Sequence, residues 1–363
     1  MSLLRALPTA FVLTIVFYIA AILCWSVVTG PPLRTERHDT GIAIPSIGIG
    51  TWLSERDAVA HAVEFALKSG YNHIDAASIY GSSFRFRETG YWELTSGLEN
   101  EVETGEGIRA ANVPRDKIWV TSKLWNAHHR PSEAKLAVQK SIQDLGVDYL
   151  DLYLIHWPVA FIPGEGTEVD KSTTLTDTWR VMEDMVHTNL TRKIGISNFS
   201  RHNVETIMAH CRICPYAHEF ETHPYLQQQE FVEYHKKIGV KVIAYSPLGN
   251  TNPVYGTKRK IKPILEDPFW TELAGKKNAT VAQAILAWGL QRDTIVIPKS
   301  IHEKHIIENI ETLDIGFTRR EMQGIAEQDK KVRMNNPGRE WGVRLFADLD
   351  DPTRLDGEDN EEL

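Results

Sequence analysis

Four residues of reactive type follow one another at the ends of short apolar runs. Asp75 ends Gly70-Tyr71-Asn72-His73-Ile74-Asp75, and Tyr80 follows five residues later. Lys123 ends the polar-tipped run Trp119-Val120-Thr121-Ser122-Lys123, and His156 ends Leu152-Tyr153-Leu154-Ile155-His156. Singly, each has a plainer reading: a histidine after a strand is often structural, and an aspartate often caps a helix. Together they suit reduction of a carbonyl. Hydride addition places negative charge on the carbonyl oxygen, which must then gain a proton, and a tyrosine can supply it. An unperturbed tyrosine has a pKa of about 10, and a nearby ammonium is expected to lower it. A carboxylate would keep that ammonium charged and in place, and a histidine would orient the carbonyl oxygen. Side chains cannot donate a hydride, so a cofactor is required.

Elements that could bring these residues together are legible in the periodicity. Candidate strands are Ile47–Thr51, Tyr71–Asp75, Ile118–Ser122, Tyr149–Ile155, Lys193–Ser197, Ala217–Glu221, Val240–Tyr245 and Thr294–Ile297. Helical patterns separate most of them; Ala134, Val138, Ile142 and Leu145 form one apolar face, ended by Gly146. Eight strands alternating with helices imply an α/β architecture with right-handed crossovers. The count favours a closed (β/α)8 TIM barrel, and no G-x-G-x-x-G follows an early strand, so the dinucleotide fingerprint of an open doubly wound sheet is missing. In such a barrel, residues at the C-terminal strand ends form one rim, where active sites are built.

The chain has 363 residues and a net charge of −8 with no basic stripe, so a nucleic-acid partner is not expected. No metal site is expected. Three cysteines are too few for a disulfide framework and suggest a reducing compartment. Cys211 and Cys214 form a C-x-x-C, read either as a redox pair or as two thiols near a helix end; the second is the plainer reading.

The ends differ from the middle. Residues 1–9 form a short flank, and residues 10–29 a hydrophobic segment broken by Gly30-Pro31-Pro32. Residues 10–28 carry no charge, and their run is longer than the apolar region of about 7–15 residues usual in a signal peptide. An N-terminal transmembrane helix is therefore expected, then a linker over 30–40, with the barrel over 41–345. Residues 346–363 read as an acidic, disordered tail. Sequons begin at Asn189, Asn198 and Asn278. A glycan on Asn198 would block the rim, so a membrane-anchored barrel in the cytosol is expected, or a cytoplasmic one should the N-terminus be mis-annotated.

From about Gly41 to Trp341 the sequence resembles the aldo-keto reductase family. The resemblance rests on Gly48-Ile49-Gly50-Thr51-Trp52, Gly70 to Asp75 with Tyr80, Thr121-Ser122-Lys123-Leu124-Trp125, Gly195-Ile196-Ser197-Asn198-Phe199, His223-Pro224-Tyr225, Ala244-Tyr245-Ser246-Pro247-Leu248 and Ile297-Pro298-Lys299-Ser300, in that order. It implies Tyr80 as general acid with Asp75, Lys123 and His156, and an aldehyde or ketone reduced reversibly with NADPH. It further implies cofactor contacts from Thr51, Asp75, Ser197, Asn198, Glu219, Tyr245, Ser246, Leu248, Lys299, Ser300, His305, Glu308 and Asn309. Tyr245 would stack on the nicotinamide ring. Trp52, Trp157 and His156 would line a pocket for a small carbonyl substrate, on a barrel expected to be monomeric.

Three departures stand out. Position 219 is usually Gln in the family; Glu219 as a carboxylate accepts but cannot donate, which would weaken nicotinamide binding. Position 305 is usually Arg; a neutral His305 lacks the bidentate grip on a phosphate, which leaves NAD as an alternative to NADP. The family's Tyr-x-Asn-Glu is here interrupted between Tyr80-Gly81 and Asn100-Glu101 by residues 82–99, a stretch with little periodicity. It reads as a lid or as a retained intron. Beside the reductase stand two other readings: a non-catalytic NADP-binding regulatory barrel, and a catalytically impaired form caused by the insertion.

Overall fold

The computed structural model describes residues 43–52, 58–80, 83–86, 92–95, 100–249, 261–346 and 349. The chain divides into residues 1–38 and residues 39–363. The first unit, with the anchor expected over 10–29, lies outside the described residues. Among the described residues no helix is long and apolar enough to cross a membrane.

All eight expected strands form, with bounds that differ by up to two residues from those expected. They are β1 (Ile49–Gly50), β2 (His73–Asp75), β5 (Trp119–Leu124), β6 (Leu150–Ile155), β7 (Thr191–Ser197), β8 (Ala217–Glu221), β9 (Lys241–Tyr245) and β10 (Thr294–Val296), with β3 (Ser83–Phe86) and β4 (Trp92–Thr95) apart from them. The eight pair in parallel in the order β1-β2-β5-β6-β7-β8-β9-β10. Parallel bridges Ile47↔Val296 and Gly50↔Lys299 join the last strand to the first and close the barrel. Gly48 is required at this seam, since a Cβ there would lie 2.8 Å from the His73 ring.

Side chains alternate across the closed sheet. Trp119, Leu152, Leu154, Ala217, Ile243, Ile295 and Ile297 cluster with one another and with no helix, so they fill the barrel interior. Val120, Tyr153, Ile155, Phe220, Val242 and Val296 pack instead in the cluster that holds the helix faces. Strands covered on both faces read as continuous apolar runs, which is why those runs were visible in the sequence. The helix Pro131–Leu145 buries Ala134, Val138 and Leu145 and stops at Gly146 with φ +64. Capping boxes at Thr280/Gln283 and Thr318/Glu321 start two later helices.

Three details differ from the sequence reading. Residues 83–86 and 92–95 form an antiparallel hairpin, with Ser83 opposite Thr95 and Phe86 opposite Trp92. The alternation in each arm spans only four residues, too short to rise above its irregular surroundings. Cys211 and Cys214 are joined as a disulfide rather than standing as two thiols. Glu183 Oε1 accepts the backbone N–H groups of Arg212 (2.6 Å) and Ile213 (2.9 Å), curling the turn after the helix Arg201–His210. That turn brings the two Cα atoms to 5.1 Å, inside the usual bridging range. Finally, Phe346, assigned to the tail, is 1% exposed and packs with Trp157 and Trp341.

Candidate active site

The C-terminal strand ends place the reactive residues on one rim. Asp75 is the last residue of β2, Lys123 lies near the end of β5, and His156 follows β6. Ser197 ends β7, Glu219 lies in β8 and Tyr245 ends β9. Tyr80 is held in the turn after β2 and is buried.

Lys123 is the centre. It is completely buried, and its Nζ donates to both Asp75 carboxyl oxygens at 2.7 Å, to the Ala76 carbonyl at 3.1 Å and to Tyr80 OH at 3.0 Å. A buried ammonium is costly unless paired; here burial pulls its pKa down, but the neighbouring acidic groups, Asp75 foremost, more than offset this and hold it charged. Backbone support comes from Ser122, whose Oγ accepts Lys123 N–H at 2.7 Å while donating to Glu101 Oε1 at 2.5 Å.

Tyr80 corrects one expectation. Its pKa is raised, not lowered: burial dominates, and the Lys123 charge opposes it without overcoming it. The phenol therefore keeps its proton, which is the form a proton donor needs. His156 is driven well below its ordinary range by burial first, then by Lys123 and His129, and is neutral. Its ring stands edge-on to Tyr80 at 5.8 Å.

Beside His156 lies an aromatic box. Trp157 stacks on His156 at 6.4 Å, and Trp341 meets Trp157 at 5.1 Å and Phe161 at 5.2 Å, edge to face. Trp125 stands 5.5 Å from His156 and 6.2 Å from Trp341. Trp125, Phe161 and Trp341 had no role in the sequence reading. Trp125 and Phe161 sit in loops after strands, a signal that was available; Trp341 lies far beyond the last strand, where periodicity says nothing. Trp52 follows β1 and is half-buried.

The residues expected to meet the cofactor fall in two groups. At the strand ends, Tyr245 OH donates to Asn198 Oδ1 at 2.7 Å, while Asn198 Nδ2 donates to the His156 carbonyl and to Ser197 Oγ, both at 3.0 Å. The Asn198 amide thus spends both N–H groups inside the protein, so its expected donor role falls to a neighbour. Asn198 (φ +61) after β7 and Ser246 (φ +46) after β9 hold left-handed backbone on either side of β8. Thr51 Oγ1 donates to the Asp75 carbonyl at 3.0 Å, and Leu248, two residues after Ser246, is half-buried. Glu219 is 1% exposed and lies 3.4 Å from Lys123.

The second group follows β10. Lys299 is exposed and Ser300 is buried; the helix Glu303–Ile310 carries His305, Glu308 and buried Asn309. Glu308 pairs with Lys304 at 3.6 Å. His302 stands at the N-cap position of this helix, with its ring 5.4 Å from that of His305, so a second imidazole joins the one expected.

Known proteins of this architecture match closely. The model of the aldo/keto reductase family covers residues 46–330. An uncharacterized oxidoreductase of Schizosaccharomyces pombe is 40% identical over 305 residues, spanning 81% of this chain and 88% of the relative. Aldo-keto reductase family 1 member A1 of Sus scrofa is 37% identical over 306 residues, spanning 82% and 90%. The solved structure of an aldose reductase from Schistosoma japonicum superposes with a TM-score of 0.73 at 34% identity, covering 84% of this chain and 95% of that one. With the closed barrel and this match across most of its length, the chain belongs to the aldo/keto reductase family of oxidoreductases.

Proposed function

We propose that the protein reduces an aldehyde or ketone to the alcohol with NADPH, using Tyr80 as the proton donor. The observation that carries this reading is the buried chain Asp75–Lys123–Tyr80, which ends on a protonated phenol beside a neutral imidazole.

The site's donor set fits a nicotinamide coenzyme. A buried Glu219 oxygen without a hydrogen-bond partner, Ser197 and Asn198 would hold the carboxamide, and the Tyr245 ring, pinned through its hydroxyl, would flank the nicotinamide. Lys299, Ser300 and His305, with Glu308 and Asn309, would hold the adenosine end and its 2′-phosphate. Bound there, the coenzyme would supply the hydride.

The protein's own steps follow. His156 and Tyr80 hydrogen-bond the carbonyl oxygen and fix its position. As negative charge develops on that oxygen, the phenolic proton moves to it, and Lys123 stabilises the phenolate left behind. Asp75 keeps Lys123 charged and aimed. The aromatic box at Trp125, Trp157, Phe161 and Trp341 excludes water and receives the apolar body of the substrate.

The test is NADPH oxidation by the barrel with a panel of aldehydes and ketones, beside a Tyr80→Phe variant. The expected result is turnover that falls by ~10²–10⁴-fold in the variant while NADPH binding persists. Bound NADPH that no carbonyl oxidises in the unaltered protein would overturn the reading in favour of a regulatory barrel.

A further inference from the structure

We propose that Glu219 works as a neutral carboxylic acid that donates a hydrogen bond at the nicotinamide end of the site, so that coenzyme binding depends on its proton. The proposal rests on the coenzyme reading above and assigns one residue's part in it.

Charge balance is the first argument. Lys123, Asp75 and Glu219 are each 2% exposed or less. Two ionised carboxyls against one ammonium would leave a net negative charge buried, so one carboxyl keeps a proton. Geometry selects which. Lys123 reaches both Asp75 oxygens at 2.7 Å, but Glu219 Oε1 only at 3.4 Å. Its contacts to the Ala76 carbonyl at 3.1 Å and Tyr80 OH at 3.0 Å are also shorter, so Glu219 is the most weakly held of the ammonium's partners. Glu219 Oε2 is buried and has no hydrogen-bond partner among the described residues, so it is the oxygen left open to a ligand.

The surroundings agree. The titratable groups facing Glu219 are Asp75 from β2, Tyr80 from the turn after it and Lys123 from β5. The flanking strands place Ser197 and Ile243 in register with it. Burial, then the Asp75 charge, hold the Glu219 carboxyl well above the usual range, and Lys123 only partly offsets them.

A neutral glutamic acid offers one O–H donor and one carbonyl acceptor, in the shape of a glutamine with its N–H and C=O. The departure at position 219 therefore preserves the donor that a carboxamide oxygen needs, which the committed N–H groups of Asn198 do not supply. Unlike glutamine, this donor is lost when Glu219 ionises, and a negative charge takes its place.

The test uses the full-length protein and its Glu219→Gln variant in two measurements. Infrared spectroscopy across pH should show a protonated-carboxyl band at neutral pH that disappears at alkaline pH and is missing from Glu219→Gln. NADPH affinity, read by quenching of protein fluorescence, should weaken up to tenfold per pH unit above that transition in the unaltered protein, as loss of one proton requires, and stay level in Glu219→Gln. A band that survives the substitution, or equal pH dependence of affinity in both proteins, would overturn the proposal. NADPH binding to neither protein is a different result: it removes the coenzyme reading itself, and the donor role falls with it.

Discussion

Asn100 donates its backbone N–H to the Tyr80 carbonyl at 2.9 Å, although residues 81–99 lie between them in the chain. Asn100 Nδ2 also donates to the Thr51 carbonyl at 2.7 Å, and its neighbour Glu101 accepts from Ser122, whose oxygen holds the Lys123 N–H. The two ends of the insertion are therefore sewn together at the rim. Of the chain between them, the strands β3 and β4 are described, paired with each other.

That closure predicts the effect of deleting residues 82–99. Loop-closure cost grows slowly, by about 0.6 kcal/mol per doubling of length. The shortened chain should fold to the same barrel with an equal or slightly higher Tm, read by circular dichroism, and should still bind NADPH. A deleted chain that does not fold would show the hairpin to be a structural prop of the rim.

Most of the barrel was readable because each strand is buried on both faces and bounded by turns. The shared rim of Asp75, Lys123 and His156 was readable too, since each ends or follows a strand. What was not readable depended on distance across the chain. The Tyr80–Asn100 bond joins two sides of an aperiodic stretch, and Trp341 reaches the aromatic box from beyond the last strand. The direction of the Tyr80 shift was misjudged from the sequence for a related reason: a neighbouring lysine is visible in the sequence, but burial is not, and burial is the larger effect.

Lys123 is the counter-charge of the buried Asp75 carboxylate, so Lys123→Met should destabilise strongly. Removing one partner of a buried ion pair costs about 3–5 kcal/mol. The sign with pH follows from the carboxyl left without its cation. A carboxyl raised above its unfolded pKa stabilises the folded state below the unfolded value, and that contribution fades as pH rises through the folded one. Thermal melts should therefore show a Tm deficit that is larger at alkaline than at mildly acid pH. A deficit independent of pH would mean that Lys123 serves as packing rather than as the counter-charge.

The exchange at position 305 predicts a coenzyme shift. An arginine there would give a 2′-phosphate a bidentate, charge-assisted grip that imidazole lacks. His305→Arg should tighten NADPH binding by about tenfold, or roughly 1.4 kcal/mol, and leave NADH affinity unchanged. Titration of the two coenzymes side by side gives the ratio, and equal gains for both would remove His305 from the phosphate end.

Glu221 anchors the segment that leads to the aromatic box. It is fully buried and accepts backbone N–H groups of Met334 and Asn335, each at 2.7 Å, with His223 Nε2 at 2.9 Å. Burial alone would raise its pKa; the His223 bond, the His223 and Arg333 charges and the Met334 N–H outweigh burial and lower it. A depressed folded pKa gives stability above the unfolded value of about 4.3 that is lost as pH falls through the folded value. Glu221→Gln should thus cost about 1–3 kcal/mol near neutrality, with a Tm gap that narrows in acid. A gap that widens in acid contradicts the assignment.

Trp341 separates binding from chemistry. It packs edge-to-face against Trp157 and Phe161 but has no contact with Lys123, Asp75 or Tyr80 among its ring partners. Trp341→Ala removes apolar surface from one wall of the box and leaves the proton chain in place. An aromatic face lost from a substrate pocket is worth about 1–2 kcal/mol, roughly tenfold in KM. The rise should be large for carbonyl compounds with bulky apolar groups and small for short ones, which would not reach the wall, and kcat should move little for either. Protein stability should also fall, by less than the ~3–5 kcal/mol typical of a core Trp→Ala change, because the residue stands at the box edge with 9% exposure. If kcat collapses instead while KM holds, then Trp341 acts through His156, its neighbour but one in the stack, and the box belongs to the proton machinery rather than to recognition.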